Sequence, residues 1–189
     1  MTNTQEIDIR DLLGTALVQG GEVLGGVRPD QFDLPTPCRE MSVRQLMDHL
    51  VGVAGRIAML GETGELGPAF PALDEWDGAY ARSAEAGRKA WADPAALERT
   101  VRLPWAEMSG ARTLAMYVSE VTVHTWDLAT ATGQSDVEWD PDVVAASLSS
   151  METELPAQGR EGAPFDPVVA VSPGAPAIDR LVAWTGRQP

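Results

Sequence analysis

Glu120 and His124 stand four residues apart in the stretch SEVTVHTWDLATATGQ (residues 119–134), in a chain that has only two histidines. Positions i and i+4 of a helix project from one face about one turn apart, so both side chains can reach one point. An imidazole nitrogen and a carboxylate oxygen are both ligands that zinc accepts. The pattern therefore raises the question of a metal site.

The surroundings of Glu120 predict that its face of the helix points inward. Apolar residues lie on or beside that face: Tyr117, Val121, Leu128 and Ala131. A buried carboxylate is costly unless it is paired or bound to a cation. Neither Lys nor Arg occurs between Arg112 and Arg160, so the helix itself offers Glu120 no basic partner. This pattern favours a metal ion.

The other histidine, His49, lies in the same turn as apolar residues of an earlier helical segment, beside the small residue Gly52, which could leave space there. Helices that face each other in a bundle can direct side chains to one ion. His49, Glu120 and His124 would supply three ligands and leave positions open, as in catalytic zinc sites. From spacing alone, a second interpretation stands beside this one, in which the three are core polar groups satisfied by hydrogen bonds.

Two further residues have open roles. Asp127, one turn beyond His124, could orient the histidine ring or serve as an exposed or capping residue. Cys38 precedes a helix, where the helix N-terminus would favour its thiolate, although a small buried thiol is the commoner role.

Periodicity and end signals predict the elements that must position these residues. Ser42 and Gln45 form a capping-box pair at the start of the segment that carries His49. Ser109 and Gly133 bracket the segment that carries Glu120. The full prediction places helices at 8–25, 42–60, 74–92, 109–131, 141–155 and 175–187, a short strand or a hairpin within 99–110, a strand at 165–171, and a loop at 33–38.

The fold class predicted from these elements is all-α. Four long helical segments with apolar stripes are typical of a four-helix bundle, and the irregular stretch 61–73 is a candidate crossover connection. We expect residues 1–155 to form the bundle with the metal site. Residues 156–189 would form a small strand and helix extension that packs on it.

Composition restricts the classes of partner. The net charge of −14 argues against nucleic acid and against an anionic membrane surface, because both require a basic footprint. No stretch has the length of a transmembrane helix, the N-terminus lacks a secretory pattern, and one cysteine cannot form an internal disulfide. We expect a cytoplasmic protein, monomer or homodimer, that acts on a small molecule.

Three segments, taken together, resemble one family: TPCREMSVRQLMDHLVG (36–52), SEVTVHTWDLATATGQ (119–134) and PGAPAIDRLVAWTGRQP (173–189). They resemble the DinB-like, mycothiol-dependent maleylpyruvate isomerase-like metal-binding proteins, in the short subgroup with a C-terminal GR-x-P tail. The resemblance implies a four-helix bundle with a long crossover between its second and third helices. It also implies a divalent metal, usually zinc, with nickel or iron as alternatives, held by residues that fall here on His49, Glu120 and His124.

The resemblance further implies thiol-dependent chemistry. A low-molecular-weight thiol such as mycothiol would take part in cis–trans isomerisation or be transferred to an electrophile, with the metal activating a water or the thiolate. Maleylpyruvate isomerases carry a larger C-terminal domain, whereas only residues 156–189 follow the bundle here. The alternatives are a non-catalytic metal- or ligand-binding protein and a non-haem metal oxidoreductase.

Overall fold

The computed structural model describes residues 7–67, 75–160 and 165–189, and within those ranges the chain is mainly helical. The elements in chain order are α1 (Ile9–Gly25), α2 (Val43–Thr63), α3 (Trp76–Ala90), α4 (Ala95–Glu98), β1 (Thr100–Leu103), β2 (Ala106–Ser109), α5 (Gly110–Thr132), α6 (Pro141–Glu154) and α7 (Ala177–Trp184). The predicted all-α class with a small C-terminal extension is confirmed. None of the helices in these ranges has the length and hydropathy needed to span a bilayer.

The two helices that carry the candidate site begin at the predicted caps, and α5 also ends at the predicted glycine, Gly133. Ser42 and Gln45 form the capping box of α2, each side chain bonding to the other's backbone N–H. Ser109 caps α5 through its side chain. Gly64 and Gly133 end the two helices with φ of 77° and 69°, the left-handed region that glycine adopts most readily.

Helices α1, α3, α2 and α5 form the four-helix bundle, and they follow one another around it in that order. Each packs on its two neighbours, so α1 and α2 lie on one diagonal while α3 and α5 lie on the other. The core between them contains large apolar side chains that are almost fully buried: Leu13, Leu17, Leu46, Leu50, Ile57, Leu60, Trp91, Leu114 and Leu128. Because α2 and α5 are neighbours, His49 and Glu120 can come together.

Part of the predicted crossover lies outside the described residues. Residues 68–74 of the connection from α2 to α3 are outside the described ranges. The predicted start of the third helix, Asp74, is one of them. The predicted hairpin is present, with Thr100 opposite Ser109 and Leu103 opposite Ala106. The short helix α4, which precedes the hairpin, was not predicted.

The predicted strand over 165–171 is wrong. These residues form neither a strand nor a helix, and Pro167 has no backbone N–H to donate to a ladder. One backbone bond, from Val169 N–H to the Ala183 carbonyl at 2.9 Å, attaches the segment to α7. A valine-rich stretch cannot form a sheet without a partner strand beside it. The predicted final helix is present as α7, and it packs on α6.

Gly110, the first residue of α5, is in close contact with the helix α4. A Cβ at this position would lie 2.0 Å from the Ala96 carbonyl oxygen and 2.8 Å from the Trp91 ring. A backbone carbonyl cannot move aside as a flexible side chain can. By contrast, a Cβ on Gly14, within α1, would meet nothing closer than an Arg88 carbon at 3.8 Å.

We therefore expect the same substitution to have opposite effects at these two positions. Gly110→Ala should lower the free energy of unfolding by about 1–3 kcal/mol through overpacking. Gly14→Ala should raise it by about 0.5–1 kcal/mol, because alanine is the better helix former. Urea denaturation followed by circular dichroism measures both, and equal stability of the two variants would contradict the packing described for Gly110.

Candidate metal centre

His49, Glu120 and His124 meet between α2 and α5. Their potential ligand atoms all lie within 4.8 Å of one another. The two imidazole rings are 4.7 Å apart between centroids and nearly perpendicular, and His49 Nε2 lies 3.3 Å from Glu120 Oε1. The side chains of His49, Glu120 and His124 retain 19%, 26% and 14% exposure respectively, so the cluster is largely enclosed by protein and keeps some contact with solvent.

The His49 Nε2 atom provides the test of whether the cluster fits a metal. This atom is buried, and it has no hydrogen-bond partner although Glu120 is close. An unsatisfied buried polar atom costs about 1–3 kcal/mol, and native proteins rarely retain one without a reason. A cation between two imidazole nitrogens and a carboxylate would satisfy it. The residues therefore fit a zinc, nickel or iron ion.

Glu120 is held as a carboxylate. Burial by itself would raise the pKa of Glu120. The contact with His49 and the charges of His124, His49 and Arg56 outweigh that effect and hold the pKa below its usual value. No basic residue lies near Glu120 in the sequence, but α2 brings Arg56 close enough in space to act on its charge.

Asp127 lies against His124, as one of its two predicted roles requires. It is fully buried, with one carboxylate oxygen 3.0 Å from His124 Nδ1. Burial would raise the pKa of Asp127, but the hydrogen bonds from His124 and Arg187, and their charges, lower it overall. An ionised carboxylate can only accept, so His124 Nδ1 donates to it, and when the ring is neutral this leaves the Nε2 lone pair free for a cation.

Arg187, two residues from the C-terminus, completes this arrangement and was not predicted as a site residue. Its Nη2 and Nε donate to the two oxygens of Asp127 at 2.8 and 3.1 Å, and its side chain is only 9% exposed. Gly186, with φ of 88°, makes the turn that places it. The only sign of Arg187 in the sequence was the GR-x-P tail. Its partner, Asp127, is 60 residues away, so sequence spacing could not identify it.

Cys38 forms a second group with His124 and Asp127, whose potential ligand atoms also lie within 4.8 Å of one another. The thiolate that a helix N-terminus would favour is not favoured here. Burial raises the pKa of Cys38, the charge of Asp127 raises it further, and Arg187 offsets only part of the increase. Because Arg187 already occupies both oxygens of Asp127, this group suits a cation less well than the cluster with Glu120.

Removal of either histidine should abolish stoichiometric metal binding. His49→Ala and His124→Ala each take away one of three candidate ligands, and two ligands hold a divalent ion weakly. Elemental mass spectrometry after dialysis measures the metal per chain, with Glu22→Ala, an exposed substitution on α1, as the control. Full metal retention in both histidine variants would rule out the cluster as the binding site.

The contact between Asp127 and His124 should set metal affinity without contributing a ligand. Asp127→Asn keeps the shape but loses the charge that fixes the Nδ1 proton, so we expect roughly 10- to 100-fold weaker zinc binding. Competition with a chromogenic chelator measures the dissociation constant. The control is Arg39→Gln. Arg39 is an exposed arginine that pairs with Asp166, which belongs to the C-terminal segment that also carries Arg187. Equal affinities in wild type and Asp127→Asn would refute this role.

Comparison with known proteins identifies the family of this chain. Residues 13–129, which include the three candidate ligands and Asp127, match the family described as the mycothiol maleylpyruvate isomerase N-terminal domain. The chain is 31% identical over 166 residues to uncharacterized proteins from two Mycobacterium tuberculosis strains, CDC 1551 / Oshkosh and ATCC 25618 / H37Rv, with 87% of this chain and 90% of each relative covered. No solved structure matches it. The chain therefore belongs to the DinB-like, metal-binding family of the mycothiol maleylpyruvate isomerase N-terminal domain.

Proposed function

We propose that this protein is a zinc-dependent cytoplasmic enzyme that uses a low-molecular-weight thiol to isomerise, or to modify by S-transfer, a small organic molecule. The observation that carries the proposal is the convergence of two imidazoles and one carboxylate, in which the buried Nε2 of His49 lies 3.3 Å from Glu120 without forming a regular hydrogen bond. The name of the matching family, which refers to mycothiol and to an isomerase, supports thiol chemistry over other metal chemistry.

His49, Glu120 and His124 would hold the ion. When bound, zinc supplies a Lewis acid that favours the deprotonated form of a coordinating thiol or water at neutral pH. Three protein ligands leave a position open, and the partial exposure of all three side chains leaves a route to it.

Asp127 and Arg187 would fix the tautomer and the orientation of His124 for metal binding. Asp127 holds the proton on His124 Nδ1, so that the other ring nitrogen faces the cluster as a lone-pair donor. Arg187 neutralises the buried charge of Asp127 and fixes the direction of its two oxygens. These two residues act by positioning rather than by contact with a substrate.

An external thiol is favoured over the protein's own cysteine as the nucleophile. The burial that raises the pKa of Cys38 keeps this thiol protonated, and a protonated thiol is a poor nucleophile. It is the only cysteine in the chain. A small thiol that reaches the open side of the cluster would meet no such restriction.

The zinc-loaded protein should catalyse a reaction that requires both metal and thiol. We would incubate it with mycothiol and either maleylpyruvate or monochlorobimane, and follow isomerisation or conjugate formation by absorbance or fluorescence. The rate should fall to background in His124→Ala and without thiol. It should fall roughly tenfold or more in Asp127→Asn.

Two other outcomes would favour the alternative functions. Stoichiometric zinc without any thiol-dependent reaction would favour a non-catalytic metal- or ligand-binding protein. Iron in the purified protein, with oxygen consumption on addition of substrate, would favour a non-haem metal oxidoreductase. Elemental analysis of the protein as purified therefore precedes the assays.

A further inference from the structure

Two hydroxyl groups meet in the core of the bundle, where Tyr80 on α3 and Thr125 on α5 both approach Gly20 on α1. A Cβ added at Gly20 would lie 2.4 Å from the Tyr80 hydroxyl oxygen and 3.2 Å from Thr125 Oγ1. Tyr80 is only 2% exposed and Thr125 only 1%. Two helices therefore bring a pair of polar groups to one buried point.

Neither of these hydroxyls has a hydrogen-bond partner among the residues that the structure describes. Each can donate one hydrogen bond and accept others. A hydroxyl that is buried without gaining a partner destabilises the folded state. Native proteins retain few such groups, so two at the same point require an explanation. The pair points to a third hydrogen-bonding group that satisfies both.

Thr125 differs from the other buried hydroxyl residues of α5 in the direction of its side chain. The others donate to the backbone carbonyl four positions earlier, at 2.7–3.0 Å: Thr113, Ser119, Thr122 and Thr132. Thr125 makes no such bond to the Val121 carbonyl, and its Oγ1 lies close to α1 instead. The side chain thus forgoes the partner that its own helix offers.

Gly20 accommodates the hydroxyl of Tyr80, whereas the ring lies against the next residue, Gly21. A Cβ added at Gly21 would stand 3.4 and 3.5 Å from two ring carbons, which is ordinary contact. At Gly20 the added atom would overlap the hydroxyl oxygen. Glycine is less favourable than alanine inside a helix, so α1 loses stability where it makes room for this polar group.

We propose that Tyr80 and Thr125 bind one internal water molecule next to Gly20. Water both donates and accepts, and an internal water makes two to four hydrogen bonds, so one molecule can satisfy both hydroxyls. The core that contains Tyr80 is apolar, which disfavours an ion, because a buried charge needs a counter-charge. Burial raises the pKa of Tyr80, so its hydroxyl stays protonated.

The water would connect two helices that lie across the bundle from each other. Helices α3 and α5 are on one diagonal, and both pack on α1. A molecule bonded to Tyr80 and Thr125 would join them through the core. Because α5 also carries Glu120 and His124, the link would restrain the helix that supplies two of the three candidate ligands. The water site itself requires neither the metal nor the proposed reaction.

Oxygen-17 relaxation dispersion of the solvent tests the site, because it counts slowly exchanging internal waters and is insensitive to the exchange of hydroxyl protons. We expect Tyr80→Phe and Thr125→Val each to hold about one such water fewer per chain than the wild type. Each substitution removes one of the two hydrogen-bond partners and nearly preserves the shape of the side chain.

The matched control is Thr113→Val, the same change at a buried α5 hydroxyl that donates to the Ser109 carbonyl. Its number of internal waters should equal that of the wild type. Circular dichroism of every variant shows whether the fold is retained. The wild-type number of waters in folded Tyr80→Phe and Thr125→Val overturns the proposal.

A high-resolution crystal structure of the wild type decides the same question without any variant. Density for one water within hydrogen-bond distance of both the Tyr80 and the Thr125 hydroxyl oxygens supports the site. A direct hydrogen bond between the two hydroxyls, or no density between them, overturns it.

Discussion

The buried charge of Asp127 is the constraint on which the candidate site depends. A carboxylate with no exposure is tolerable only if cations and donors surround it, and removing one partner of such a pair costs about 3–5 kcal/mol. Here His124 and Arg187 satisfy it from two directions. The first contact orients a candidate ligand, and the second links the C-terminal segment to the last turns of α5.

The C-terminal extension can provide Arg187 because a second arginine fixes its course. Arg160 donates to the carbonyls of Pro156, Asp166 and Trp184 at 2.6, 2.9 and 2.6 Å. These bonds hold together three parts of a segment that has little regular structure. The extension delivers one charged side chain, Arg187, to the bundle. Its contribution to the site is therefore electrostatic and positional.

The bundle supplies what a small polar site needs from its surroundings. Leu46 and Leu50 on α2 and Leu128 on α5 are fully buried, so the helix faces beside the site are held by close packing. Polar groups sit at the edge of this core, partly open to solvent. Gly52 lacks a side chain at the point where the site would need room. A rigid frame and a local space are the features that a metal-centred pocket combines.

Much of this protein could be predicted from sequence because the information is local. Helix ends depend on residues such as Ser42, Gln45 and Gly133, which act within one turn, and helical spacing puts Glu120 and His124 on one face. Predictions failed where a neighbour in space decides the result. Residues 165–171 have strand-forming side chains, but among the described residues no strand lies beside them.

Sequence by itself determined the long helices, the all-α class and the three candidate ligands, since i, i+4 spacing and inward-facing polar residues are properties of single helices. Only the tertiary structure decided that Arg187 compensates Asp127 from 60 residues away, and that Arg56 acts on Glu120 from another helix. It also decided that Cys38 is buried enough to raise its pKa. Burial and charge pairing depend on which elements pack together, and no local pattern encodes that for a residue whose partner is distant in the chain.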